Sequence, residues 1–278
     1  MEVYYVNHKN QKIDLGRPPY QMQIGDIFNH TNKYEGSNNK INRIYKEIET
    51  FTTTITVEET EKVSFPDAVN RFFDITETDT RANEYGRLYV GEYYICCNII
   101  SSDKTFWKET YTGLENKVKL LIPYPFWCHE LTEQFLKNNS SISEETQDGN
   151  LSYPYSYPYR YSAPQDAGVI INDHYASCDF KMIIYGPCTN PAIRINGHLY
   201  EVETVLYAGD YLAIDSRDHT VIRYLNDGRT ENKFNWRNKE SNLFEKIPNG
   251  QCSVVWSTES FGFDITLFQE RSEPKWIL

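Results

Sequence analysis

The sequence predicts a mainly β protein, with an N-terminal β domain that carries one short helix and a C-terminal antiparallel β-sandwich. Three observations carry that prediction. Apolar content comes largely as rings, with 22 Tyr, 14 Phe and 5 Trp in 278 residues, and such residues favour strands and broad contact surfaces over helices. Short strand-like stretches recur along the chain, separated by turn chemistry. One segment alone breaks that rhythm with a helical period.

In the N-terminal half, strands are expected at residues 2–6, 46–57, 87–90, 92–100 and 116–122, the last of them stopped by Pro123. The helical segment follows Ser64-Phe65-Pro66-Asp67, which supplies an N-cap hydroxyl, an early-turn proline and an acid three residues on. Phe65, Ala68, Val69, Phe72 and Phe73 then fall on one helical face. A single amphipathic helix of about ten residues is therefore expected to close against the N-terminal sheet. The polar stretch 137–150 holds only Ile142 as an apolar residue and reads as a linker or loop tip. It divides the chain into an N-terminal domain over 1–136 and a C-terminal domain over 151–278.

Beyond that stretch the signals are almost purely β, with strands expected at 168–171, 180–185, 192–195, 199–203, 211–215, 221–225, 252–257 and 261–268. Eight strands suit a sandwich. Asn196-Gly197 stands at hairpin spacing between two of them, and Asp227-Gly228 and Asn249-Gly250 flank others, so antiparallel connections are expected. From Tyr153 to Tyr161 every odd position is Tyr, with Pro154 and Pro158 at even ones. An extended chain of that pattern lacks donors along one edge and reads as an edge strand, packed or at a subunit contact, more readily than as a ligand platform.

Charge narrows the function. With 28 basic and 39 acidic side chains the net charge is -11, and no basic run is present to neutralise phosphates, which argues against nucleic-acid binding. No charged-then-apolar leader opens the sequence and no window reaches the roughly 18 apolar residues of a membrane span. The chain is thus expected to be made in the cytosol and to leave it, if at all, by lysis. Cys96, Cys97, Cys128, Cys178, Cys188 and Cys252 show neither CxxC pairs nor a regular spacing, and read as reduced, mostly buried thiols.

Catalytic signatures are missing: there is no phosphate-cradling glycine loop, HExxH, GxSxG or EF-hand pattern. Asp215-Ser216-Arg217-Asp218-His219 holds triad residue types, but within five consecutive positions between two strands, and reads as a solvated turn. Cys128-His129-Glu130 has the types of a thiol site with adjacent side chains that point apart. His8, His30, His174 and His198 are scattered, so no metal and no cofactor is expected. Glu58-Glu59, Glu144-Glu145 and Asp215/Asp218 are the close carboxylate pairs expected by chance among so many acids. Catalytic, cofactor and metal sites are accordingly all expected to be none, and the protein is not expected to be an enzyme.

An ordered set of short motifs adds to this reading. The C-terminal half contains Ile184-Tyr185-Gly186-Pro187, Asn190-Pro191-Ala192-Ile193, Tyr211-Leu212-Ala213-Ile214-Asp215, the run Asn242 to Gly250, and Glu273-Pro274-Lys275-Trp276. The N-terminal half contains the Phe65 to Phe73 helix, Gly86-Arg87-Leu88-Tyr89-Val90 followed by Tyr93-Tyr94, and Pro123-Tyr124-Pro125-Phe126-Trp127. In that order they resemble the phage distal tail protein family, a siphovirus-type tail component, over nearly the whole chain. The resemblance implies a structural virion protein at the tail tip or baseplate, present in the host cytoplasm during assembly. It further implies a homo-hexameric ring of N-terminal domains beneath the tail tube, with galectin-like C-terminal sandwiches projecting outward. Implied partners are the tail tube protein, a tail-tip hub or tail-associated lysin protein, and receptor-binding or other baseplate proteins. Some larger relatives carry an inserted carbohydrate-binding module, for which 278 residues leave little room. The alternative is a carbohydrate-binding module mediating host-cell adhesion, with Trp236 or the tyrosines from Tyr153 to Tyr161 stacking on sugar rings.

Overall fold

The computed structural model describes residues 2–108, 112–137, 167–257 and 261–275. The chain divides into two compact units, one running to His129 and resuming at Glu270, the other spanning Glu130–Gln269. The chain passes between them within one strand on the way out and another on the way back. Of the expected linker at 137–150 only Lys137 lies among the described residues, and the alternating tyrosines from Tyr153 to Tyr161 lie outside them.

The first unit is built from β1 (Val3–Val6), β2 (Lys12–Asp14), β3 (Gly16–Arg17), β4 (Tyr20–Met22), β5 (Lys33–Ser37), β6 (Lys40–Tyr45), β7 (Glu49–Glu58), α1 (Phe65–Ala82), β8 (Gly86–Val90), β9 (Tyr93–Trp107), β10 (Gly113–Ile122) and the start of β11 (Trp127–Phe135). β9 is long enough to serve two ladders: Tyr93–Cys97 pair with β8, which continues to β1 and β2, while the stretch from Asn98 to Trp107 pairs with β10, which continues to β7, β4 and β3. Val3 and Tyr5 of β1, Leu88 of β8, Ile55 and Val57 of β7 and Val118 of β10 meet in one core. α1 closes it with Phe65, Ala68 and Phe72.

α1 begins as expected, with Ser64 as N-cap accepting from the Asp67 amide and Pro66 in the first turn. It runs 18 residues rather than about ten. The inward stripe of Phe65, Ala68 and Phe72 continues through Ile75, Thr76 and Asp79, keeping the helical period while losing apolar character. Asp79 is fully buried and can sit there because the Tyr5 hydroxyl donates to it, as does the His8 amide at 2.9 Å, with His8 Nδ1 2.5 Å away. Asn83, in the left-handed region at φ 56°, then ends the helix.

The second unit is a sandwich. One sheet contains β20 (Thr230–Asn232), β19 (Thr220–Tyr224), β18 (Tyr211–Asp215), β13 (Asp179–Tyr185) and β22 (Phe263–Arg271), in that order. The other contains β12 (Ala167–Asn172), β21 (Gly250–Trp256), β15 (Ala192–Ile195) and β16 (His198–Glu201), and a small ladder joins β14 (Cys188–Thr189) to β17 (Val205–Leu206). Each β13 side chain alternates between core and surface, and Phe180, Met182 and Ile184 meet Ile193, Ile195 and Val254 of the facing sheet. All the described ladders are antiparallel. Asn196 and Gly197 both take positive φ, the type I′ geometry that closes β15 onto β16. A buried network pins the far end: Arg223 contacts Asp210 at 2.5 and 3.2 Å through Nη2 and Nε, and Asp210 also accepts from the Tyr207 and Asn226 amides.

Candidate functional site

The clearest contact surface is the β5–β6 hairpin, whose strands form a ladder with each other alone among the described residues. Asn38 and Asn39 supply the two left-handed residues of its turn, at φ 51° and 61°. Tyr34 pairs with Ile44, and a register shift that leaves Asn42 unpaired brings Ile41 opposite Gly36. Because Tyr34 and Gly36 share a face of β5, the bulge turns Ile41 and Ile44 onto that same face, although they stand three apart in sequence. Gly36 is required there, since a Cβ would meet the Lys40 carbonyl at 2.7 Å. The opposite face carries the Glu35/Arg43 pair.

Tyr34, Ile41 and Ile44 are 73, 65 and 63% exposed. Three large apolar side chains gathered on one face of a ladder and left mostly uncovered among the described residues are an interface composition rather than scattered surface. The base of the hairpin is tied down by the Lys33–Glu47 ion pair and by Lys46, which donates to the Pro125 carbonyl at 3.0 Å and lies 4.7 Å over the Phe126 ring.

Each unit also carries a row of tyrosines across the outer face of a sheet. In the first unit Tyr4, Tyr89 and Tyr94 stand opposite one another on β1, β8 and β9, with Tyr4 and Tyr89 stacked at 4.6 Å and cations of Lys12 and Arg87 over the end rings. In the second, Tyr185, Tyr211 and Tyr224 cross β13, β18 and β19, with Tyr211 and Tyr224 stacked at 4.6 Å. Tyr185 donates to Asp264 at 2.7 Å, and burial together with that carboxylate pushes its hydroxyl up to about 12. Stacked on each other, these rings brace adjacent strands.

The residues singled out for chemistry are placed in structural roles. Ser216 is buried, accepting from the Phe180 amide at 2.8 Å and donating to Asp179 at 3.0 Å, while Asp215 accepts from the Arg217 amide. His219 packs on Phe244, so Ser, Asp and His are not brought together around a cleft. Cys128 is buried in β11, and its neighbour His129 lies against Tyr93 with Glu92 at 3.7 Å. His198 has Nε2 on the Asn242 carbonyl at 2.8 Å, which makes that nitrogen a donor and not a base. His30 faces Glu273 at 3.2 Å, and His174 Nδ1 lies 3.4 Å from the Ala176 carbonyl. Glu58 pairs with Lys108 at 2.6 Å; Glu144 and Glu145 lie outside the described residues. Trp236 is 49% exposed on a 3-10 turn, with the Lys233 ammonium 4.9 Å from its ring. None of the six cysteines is in a disulfide, and among the described residues no three His, Cys, Asp or Glu side chains gather as metal ligands.

No protein-family model and no curated protein matches the sequence. Solved structures do. The chain is similar to one in the baseplate of phage P2 in its activated conformation with Ca, at 14% identity and a TM-score of 0.60, covering 98% of this chain and 99% of that one. It is similar to the corresponding chain of the baseplate with Sr, at 14% identity and a TM-score of 0.59, covering 98% and 99%. It is also similar to SPP1 Dit, described as a paradigm of the hub adsorption apparatus in phages infecting Gram-positive hosts, at 7% identity and a TM-score of 0.53, covering 97% and 99%. The likeness extends over both units of this chain.

Proposed function

We propose that this protein is a structural component of a phage tail tip, a distal tail or baseplate hub subunit that assembles as a hexameric ring joining the tail tube to the adsorption apparatus. The single observation that carries the reading is the full-length likeness to baseplate and Dit chains, which meets the motif order found independently in the sequence. The structure adds a physical reason for assembly: the hairpin presents Tyr34, Ile41 and Ile44 to solvent, an apolar face suited to contact with another subunit. Ring closure by rotation uses head-to-tail contacts, for which a projecting arm on each copy is a natural part. The role is one of scaffolding, with no reaction assigned to it, and its place is the virion tail after assembly in the host cytoplasm.

The test is the absolute mass of the purified protein by light scattering, with negative-stain images. Six copies of the 32.7 kDa chain, about 196 kDa with a central hole, are expected. A species that stays at the mass of one copy across the accessible concentration range, and that binds cell-wall polysaccharide, overturns the ring in favour of a stand-alone carbohydrate-binding module.

A further inference from the structure

The β5–β6 hairpin has no buried residue along either strand, and a two-stranded ladder by itself is only marginally stable in water. Its position on the first unit therefore depends on what holds its two feet. Both feet lead to a part of the chain far away in sequence. The residues from Glu270 onward belong to the first unit, and beyond Arg271 the described ones form neither strand nor helix. Even so, Glu270, Arg271, Ser272 and Glu273 are half-buried and Pro274 is buried, where an irregular polar stretch ordinarily runs over the surface.

Each foot meets this segment by its own route. On the β5 side His30, just ahead of the strand, faces Glu273, with Nδ1 3.2 Å from Oε1. On the β6 side Lys46, which follows Tyr45, donates to the Pro125 carbonyl at 3.0 Å and lies 4.7 Å over the Phe126 ring. Phe126 stands 4.9 Å from the Tyr124 ring, and the Tyr124 hydroxyl donates to Glu270 at 2.6 Å. Glu273 also acts on the second foot: burial pushes the Lys46 ammonium down, and the charges of Glu49 and Glu273 oppose that shift. Two acids of one short segment thus serve both strands.

We infer that residues 270–274 are a strap that clamps both feet of the hairpin, Glu273 through His30 on the β5 side and Glu270 through Tyr124 and Phe126 on the β6 side. The strap sets the direction in which the arm leaves the first unit. It stands on these contacts alone, whereas its consequence for assembly rests on the ring reading.

The experiment uses the full-length chain carrying Tyr124→Phe, Glu273→Ala or both. Neither side chain belongs to the core cluster of the first unit, so the variants are expected to fold. Amide hydrogen exchange is followed by mass spectrometry over residues 33–45, with β9 and β10 as the reference, and wild type and variant are compared at matched mass by light scattering. In the double variant the hairpin is expected to exchange about tenfold faster while β9 and β10 stay within about twofold of the wild type, each single variant giving part of the effect. Hairpin exchange within about twofold of the wild type overturns the strap. Equal acceleration of β9 and β10 also overturns it, because the contacts then support the whole unit and not the arm. Assembled mass separates this inference from the ring reading. Faster hairpin exchange with a loss of assembled mass upholds the strap and ties it to the ring; faster exchange at unchanged mass upholds the strap and removes the hairpin from the ring contact.

Discussion

In the first unit the buried carboxylate of Asp79 is held by groups without a fixed charge, the Tyr5 hydroxyl and His8, whereas in the second unit the buried carboxylate of Asp210 is held by the Arg223 guanidinium. Both carboxylates cross-link elements distant in sequence. Asp79 joins α1 to β1 and the turn after it; Asp210 joins the start of β18 to β19 and the turn beyond. The difference lies in what each leaves behind when disturbed. A carboxylate that accepts from a hydroxyl and an amide can be exchanged for another acceptor, while one paired with a guanidinium leaves a desolvated cation when it is lost.

That difference can be broken by two isosteric substitutions. Asp210→Asn is expected to destabilise the second unit by about 3 kcal/mol, because Arg223 is 8% exposed and, among the described residues, retains Glu231, at 3.3 Å, as its one carboxylate partner. Asp79→Asn is expected to destabilise the first unit by about 1 to 2 kcal/mol, since its one amide oxygen can still accept from the His8 amide at the Oδ1 position, while the Tyr5 hydroxyl, facing the new NH2 at the Oδ2 position, turns from donor to acceptor. Urea unfolding read through hydrogen exchange, unit by unit, measures both. Equal losses, or a larger one for Asp79, would remove the distinction.

Acid sharpens the same contrast. The hydrogen bonds from Arg223, together with the Tyr207 and Asn226 amides, hold the Asp210 carboxyl below the ordinary carboxylate range. A carboxylate depressed in the folded state contributes stability that is fully present above its unfolded value of about 4 and is lost as pH falls through the lower folded value. The second unit is therefore expected to lose stability below ~pH 4, and Asp210→Asn to flatten that part of its pH profile while lowering the plateau above it. Denaturant midpoints collected from pH 7 downward test the sign; a variant whose acid limb is as steep as the wild type's assigns the acid sensitivity to other carboxylates.

The two units also differ in how far their sequences disclosed them. In the second unit alternation is unbroken, as in Phe180, Met182 and Ile184, and the Asn196-Gly197 turn has its two positive φ values, so β15 and β18 fall where alternation and turn chemistry put them. In the first unit the inward stripe of α1 ends in Thr76, whose hydroxyl turns back to the Phe72 carbonyl, and Asp79, a charge with no place in a core until Tyr5 and His8 are known to meet it. The strands β2, β3 and β4, of two or three residues, are too short to show a period. The hairpin was hidden for a different reason: its bulge at Asn42 sets Ile41 and Ile44 three residues apart, a helical spacing inside a strand. Asn38-Asn39 was the available signal, a pair tolerant of the left-handed region with Tyr34 before it and Ile41, Ile44 and Tyr45 after it. The histidine and cysteine clusters were legible as bland because consecutive residues on a strand face opposite ways, and Cys128 and His129 do so.

The smallest expected effect on the folded chain carries the most information about assembly. Ile41→Ser with Ile44→Ser removes two large apolar groups, yet both side chains are more than 60% exposed and, among the described residues, neither packs on a core cluster. The midpoint of unfolding for the isolated copy is therefore expected to move by no more than about 0.5 kcal/mol. Were the hairpin part of the fold's own packing, the same change would cost several times more, as it does wherever an isoleucine leaves a core. Stability held constant while the assembled mass falls separates a surface kept for a neighbouring copy from one that the chain needs for itself. The tyrosine rows provide the counter-case: Tyr4 and Tyr89, or Tyr211 and Tyr224, lie on outer faces too, but their rings already contact each other at 4.6 Å. Apolar surface engaged within its own sheet braces that sheet, whereas the apolar face of the hairpin, largely exposed among the described residues, is the surface on which the proposed ring would draw.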